Sequence, residues 1–159
     1  MALDLYGELR RIIQALNEAT VPYALVGGLA VSLYTRPRAT QDIDLLIPET
    51  AWEDIRPIMA GLGYTVLAFP MTVAAGRIRI HRATRLEGPA LLSVDFLVPQ
   101  CPDLLWLLDN RVRTSTAGTD LWVIGLRGLR ALKRLRGSPQ DLADLDALGP
   151  EDGQEPENV

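Results

Sequence analysis

The stretch Tyr23-Ala24-Leu25-Val26-Gly27-Gly28-Leu29-Ala30-Val31-Ser32-Leu33-Tyr34 and, after a short loop, Gln41-Asp42-Ile43-Asp44-Leu45-Leu46-Ile47 decides how this chain is read. Tyr23–Val26 follows Pro22 and is a short apolar run of the kind that forms one buried strand. Gly27-Gly28 follows, and Leu29–Tyr34 reads as a short helix. Arg36-Pro37-Arg38-Ala39-Thr40 reads as a loop, because proline fixes its own φ and biases its predecessor away from helix. Gln41–Ile47 is a second strand, stopped by Pro48. Side chains alternate along a strand, so Asp42 and Asp44 share one face, with Leu46 beyond them, while Ile43, Leu45 and Ile47 point into the core.

Before this stretch, residues 3–19 place Leu5, Leu9, Ile12, Ile13 and Leu16 at helical spacing. After the second strand, Thr50-Ala51-Trp52-Glu53 has the form of a capping box for a helix carrying Trp52, Ile55, Met59 and Leu62. Tyr64–Phe69, Arg77–Ala83 and Leu91–Val98 read as strands, Cys101-Pro102-Asp103 opens a helix through Leu108, and Leu121–Ile124 reads as a last strand. Two helices close the sequence, Leu126–Arg136 and Pro139–Leu148, the second with Ser138 as N-cap and Pro139 at the first helical position. Interleaved helices and strands of this kind predict an α/β (α+β) domain over residues 1–148: a mixed sheet flanked by helices. From Gly149 the chain is rich in Gly, Pro, Glu and Asp, which predicts an acidic disordered tail over 149–159.

The composition narrows the chemistry. One cysteine in 159 residues excludes a disulfide framework and a cysteine-rich zinc site, and one histidine excludes a histidine metal cage. No apolar stretch approaches the ~20 residues of a membrane span, and the first residues lack the basic and apolar regions of a secretory signal. The expectation is a cytoplasmic protein with no membrane partner. The formal charge of −4 belongs mostly to the tail: setting aside Glu151, Asp152, Glu155 and Glu157 leaves 16 of the 20 acids against 16 bases. A neutral body says little about partners.

Asp42 and Asp44, about 7 Å apart along a strand, repel each other unless a cation lies between them. Carboxylate oxygens with no soft ligand suit a hard ion, Mg²⁺ or Mn²⁺. Asp95, in the apolar run Ser93-Val94-Asp95-Phe96-Leu97-Val98, is costly to bury unless it is paired with an arginine, bound to metal or solvated at an edge. If its strand neighbours that of Asp42 and Asp44, three carboxylates converge, a set able to hold two divalent ions for phosphoryl or nucleotidyl transfer. Gly27-Gly28 sits between a strand and a helix N-terminus, where free N–H groups and the helix dipole favour phosphate. Lys133, the only lysine, falls within the apolar arc of Leu126, Leu129, Leu132 and Leu135, a setting that fits a phosphate or an Asp95 partner. Arg77, Arg79 and His81 alternate onto one strand face, either a solvated face or a track for an RNA acceptor. Asp141 and Asp144 read as helix-capping and solubilising acids.

Val26-Gly27-Gly28, the intervening helix, Arg38-Ala39-Thr40-Gln41 and Asp42-Ile43-Asp44-Leu45 together resemble the polymerase-β-type nucleotidyltransferase signature. The branch they resemble most is the abortive-infection (AbiEii-type) toxin nucleotidyltransferases. Leu129-Arg130-Ala131-Leu132-Lys133 and Asp141-Leu142-Ala143-Asp144-Leu145 are similar to that family's helical lysine and Asp-x-x-Asp-Leu ending. The resemblance implies a nucleotidyltransferase fold with C-terminal helices. It implies that Gly27 and Gly28 touch the triphosphate, that Asp42, Asp44 and Asp95 bind Mg²⁺ (or Mn²⁺), and that Asp95 helps activate the attacking hydroxyl. Arg38, Thr40 and Lys133 join the nucleotide site, Lys133 also as a catalytic residue, with Arg36 a further candidate flank. The implied reaction moves an NMP from an NTP to a hydroxyl acceptor on RNA, protein or a small molecule, in a toxin–antitoxin or phage-defence setting with a cognate partner. The alternative is a non-catalytic nucleotidyltransferase-fold antitoxin or RNA/protein-binding module. Two departures stand out: Gly28 replaces the serine of many relatives, and the chain is shorter than the full-length toxins, which implies a missing acceptor-binding domain.

Overall fold

Ile43, Leu45, Leu46 and Ile47 are all fully buried, so the strand that carries Asp44 is covered on both faces and helices must lie on each side of the sheet. In the computed structural model, which describes residues 3–36, 40–116 and 118–150, this is the arrangement. The first half of the chain gives α1 (Leu5–Glu18), β1 (Ala24–Val26), α2 (Gly27–Tyr34), β2 (Ile43–Leu46), α3 (Trp52–Gly61) and β3 (Met71–Val73). The second gives β4 (Ile78–Glu87), β5 (Ala90–Pro99), α4 (Trp106–Asp109), β6 (Arg111–Thr116), β7 (Thr119–Ile124), α5 (Leu126–Arg136) and α6 (Pro139–Leu148). The seven strands form one mixed sheet in the order β3-β4-β5-β2-β1-β7-β6. β2 runs parallel to β5 and β1 parallel to β7, while the other neighbours are antiparallel.

The register sorts the two faces. Asp44 stands opposite Val26 on one side and Asp95 on the other, and Asp95 stands opposite Arg82, so these four share a face. Leu25, Leu45, Phe96 and His81 point the other way. Trp52 of α3 stacks on His81 with ring centroids 4.3 Å apart and leans on Phe96 at 5.4 Å. Glu8 of α1 holds Arg85 of β4 and accepts a 3.0 Å hydrogen bond from the Tyr64 hydroxyl. Both contacts set α1 and α3 on the His81 face. α2 packs on β2, α5 and α6, which covers the Asp44 face.

Three local expectations give way. Tyr64–Phe69 is not a strand: Thr65 makes a single bridge to Thr84, and β3 begins only at Met71, opposite Ile80. Six residues separate Thr65 from Met71 while four separate Thr84 from Ile80, so the segment carries a two-residue surplus and bulges off the β4 edge. Thr50 forms no capping box, because a 3₁₀ turn over Glu49–Ala51 leads straight into α3 with no side-chain cap. β6 is an additional edge strand whose sequence, Arg-Val-Arg-Thr-Ser-Thr, has a single large apolar residue. Asp4 and Ser138 do cap α1 and α6; Ser138 forms a full capping box with Asp141. Arg38 and the tail residues 151–159 lie outside the described residues. Among the described residues no helix is long and apolar enough to cross a membrane.

Candidate functional site

Gly27 closes β1 and opens α2 with φ +71, in the left-handed region that only glycine enters freely. A Cβ at this position would run into the Asp44 carboxylate on the neighbouring strand. The turn is therefore tight against the acid for a steric reason. α2 has no side-chain N-cap, so its first amides, including Gly28, keep their hydrogen-bonding capacity for a ligand.

These residues line a cleft of about 430 Å³ together with Thr40, Gln41, Asp42, Lys133, Arg136, Ser138, Gln140 and Asp141. The structure thus brings Gly27, Gly28, Thr40, Asp42, Asp44 and Lys133 to one place from three separate parts of the chain. Asp44 is the most perturbed group in it. Burial first, then the charge of Asp95, pushes its pKa up to about 7; Asp42 adds to the rise, while Arg136 and Lys133 oppose it. A carboxylate so crowded by burial and like charge is a place that a cation would stabilise.

Asp95 lies beside Asp44 across the parallel β2–β5 pair but does not line the cleft. Arg82 grips it in a bidentate pair, Nε donating to Oδ1 at 2.7 Å and Nη2 to Oδ2 at 3.0 Å. Of the settings open to a buried acid in an apolar strand, this is the arginine-paired one. Strand alternation already separates Arg82 from Arg79 and His81 and turns it towards the acids, a signal visible in the sequence once the strand register is known.

Lys133 lines the cleft, but its carboxylate partners are Asp141 and Asp144 and not Asp95. Its ammonium lies 2.8 Å from Asp144 Oδ2 and 3.2 Å from Asp141 Oδ1, and all three residues are buried. Burial alone would raise the Asp141 carboxyl; the Ser138 hydroxyl and amide and the Lys133 charge outweigh it and hold the group below its usual range. Asp141 and Asp144 are therefore structural partners of the lysine, not surface acids. Neither periodicity nor spacing identifies such a pairing, because it forms only when α6 folds back on α5.

The donor chemistry fits a hard divalent ion in part. Asp42 and Asp44 offer carboxylate oxygens to the cleft, while both Asp95 oxygens are engaged by Arg82. Among the described residues no three acidic, histidine or cysteine side chains converge closely enough to hold a metal as they stand.

The basic face proposed as an acceptor track is largely spoken for. Arg77 pairs with Asp103, Arg79 lies 3.8 Å from Glu49, and His81 is stacked under Trp52. Burial, followed by the nearby Arg79 and Arg56 charges, lowers the His81 pKa. A second cleft of about 560 Å³ lies on this opposite face, lined by Trp52, Arg56, His81 and the bulged residues Val66–Pro70. It is the larger of the two, but it has no glycine turn and only Glu53 as an acid.

No protein-family model and no curated protein matches the sequence. The fold does match solved structures. A nucleotidyltransferase candidate from Thermotoga maritima superposes with a TM-score of 0.65 at 18% identity, covering 92% of this chain and 93% of that one. ANT(2″)-Ia in complex with adenylyl-2″-tobramycin matches with a TM-score of 0.58 at 15% identity, over 89% of this chain and 86% of that one. The solution structure of the same antibiotic-resistance factor matches at 0.61 and 16% identity, over 89% and 80%. The chain has the nucleotidyltransferase fold.

Proposed function

We propose that this protein is a metal-dependent nucleotidyltransferase that moves an NMP from an NTP to a hydroxyl acceptor. One observation carries the reading: Asp44 sits beside Asp95 in register and against the Gly27 turn, in a cleft that also holds Asp42 and Lys133. In it, the Gly27-Gly28 turn and the uncapped start of α2 bind the triphosphate through backbone N–H groups. Thr40, Arg38, Lys133 and the exposed Arg136 add polar and cationic contacts along the same phosphates. Asp42 and Asp44 would hold Mg²⁺ or Mn²⁺, joined by Asp95 when Arg82 releases it. Such an ion, when bound, neutralises phosphate charge and lowers the pKa of a coordinated hydroxyl. In the transfer the acceptor hydroxyl gives its proton to a carboxylate of this set, its oxygen bonds to the α-phosphorus, and the α–β phosphoanhydride bond breaks to release pyrophosphate.

For the acceptor, the likeness to ANT(2″)-Ia supports a small-molecule hydroxyl, and the sequence resemblance alone supports RNA or protein in a toxin–antitoxin pair. The test is incubation of the full chain with labelled NTPs and Mg²⁺ in the presence of tRNA, protein lysate or aminoglycosides. Label transfer is expected for the wild-type chain, and Asp42→Ala and Asp44→Ala should each lower it at least about a thousandfold while the protein stays folded. Undiminished transfer in both variants overturns the reading.

A second reading, a nucleotide-binding module without turnover, draws on the Arg82–Asp95 pair and the lack of a converged metal set among the described residues. It predicts NTP binding with no pyrophosphate release on any acceptor.

A further inference from the structure

Across β4, β5, β2 and the start of α2, the Asp44 face carries at one level a guanidinium, two carboxylates and a glycine turn: Arg82, Asp95, Asp44 and Gly27. Among the described residues, the hydrogen-bond donors that reach the Asp95 carboxylate are the two Arg82 nitrogens, one on each oxygen. The two partners differ in freedom. The Asp95 side chain is 11% exposed, fixed in the middle of a ten-residue strand, whereas the Arg82 side chain is 45% exposed. The guanidinium sits on a long flexible stem, so it is the half of the pair that can leave.

We propose that Arg82 is a positioning residue that competes with the divalent cation for Asp95, occupying both of its oxygens in the resting protein and yielding them when the ion binds. The inference rests on the nucleotidyltransferase reading of the cleft. Its physical basis is exclusion of like charge: a guanidinium bound in bidentate fashion and a divalent ion on the same carboxylate would stand within a few ångströms of each other in a partly desolvated site. Asp95 can ligate a metal only after Arg82 turns outward. The resting Asp95 carboxylate therefore carries a monovalent cation where the loaded one carries a divalent ion. A half-exposed arginine keeps the cost of this exchange small enough for an ion at cellular concentration to drive it.

The test is Mn²⁺ binding to the full chain without nucleotide, read by the electron paramagnetic resonance signal of free Mn²⁺. Removing the competitor with Arg82→Gln should tighten Mn²⁺ binding about tenfold. Arg82→Lys, which keeps the charge but cannot make two parallel bonds, should give a smaller gain, and it carries the test if Arg82→Gln fails to fold. The same substitution in an Asp95→Asn background should produce no gain. Equal or weaker binding by folded Arg82→Gln, or an undiminished gain without Asp95, overturns the proposal; the latter would mean that Arg82 acts only through its long-range field. An Asp44→Asn control separates the two levels. If Mn²⁺ binding survives it, the ion is not in this cleft and the functional reading falls together with this inference. If Asp44→Asn abolishes binding while Arg82→Gln changes nothing, only the inference falls.

Discussion

Asp44 carries the highest electrostatic cost in the molecule's cleft, and that cost has a measurable signature. Its pKa stands near 7 in the folded chain against 3.8 for an unperturbed carboxyl, with burial the main cause and Asp95 the next. Between these values the folded protein holds a proton that the unfolded chain has released. The stability contributed by this group is therefore full below the ordinary carboxylate range and is lost as pH rises through about 7. In metal-free buffer, the urea midpoint of the wild-type chain should fall between about pH 4 and pH 7, and Asp44→Asn should remove most of that slope. A wild-type slope equal to that of the variant would show that the carboxyl is not strained. The pairing of Asp42 with Asp44 was legible in strand alternation, as was the glycine turn before them. The partner of Asp95 was not, because it depends on which strand lies beside β5 and at what register.

At the scale of elements, α5 and α6 are joined by one buried lysine between two buried carboxylates. Removing the lysine strips the Lys133 charge from two buried carboxylates, and losses of this kind run to about 3–5 kcal/mol. Lys133→Met should lower stability by that order in urea titrations, and adding Asp144→Asn should recover part of it. A loss below ~1 kcal/mol would mean that the cluster is solvated and that Lys133 is free to serve the nucleotide alone. Both helices were readable from their apolar spacing and from Ser138-Pro139, since capping and periodicity are local properties. Their contact was not, because an eight-residue separation through the Gly137 turn leaves no periodic trace. The same contrast explains the strands. β5 and β2 announce themselves by short apolar runs, whereas β6 is a polar edge strand with only Val112 to bury. The apolar run Val66–Phe69 imitates a strand yet bulges out, leaving Leu67 at 66% and Phe69 at 97% exposure.

Over the whole molecule the sheet acts as a partition. The candidate cleft lies on the Asp44 face, while the aromatic contact of Trp52 with His81 and Phe96 lies on the other. Trp52→Ala should cost about 3–5 kcal/mol by opening a cavity, yet nucleotide affinity of the remaining folded protein, measured by calorimetry, should change by less than about twofold. A large loss of affinity would show that the two faces are coupled through β5. The parallel pairing at the sheet centre also dictates an order of events during synthesis. Leu25 meets Val123, and Asp44 meets Asp95, so neither inner strand finds its second neighbour until much later segments have left the ribosome. β1 emerges among the first strands and then waits with one edge unpaired while the intervening hairpins form. The glycines and the paired acids likewise precede Lys133 and Arg136 by most of the chain. The cleft is closed last, when the two final helices arrive.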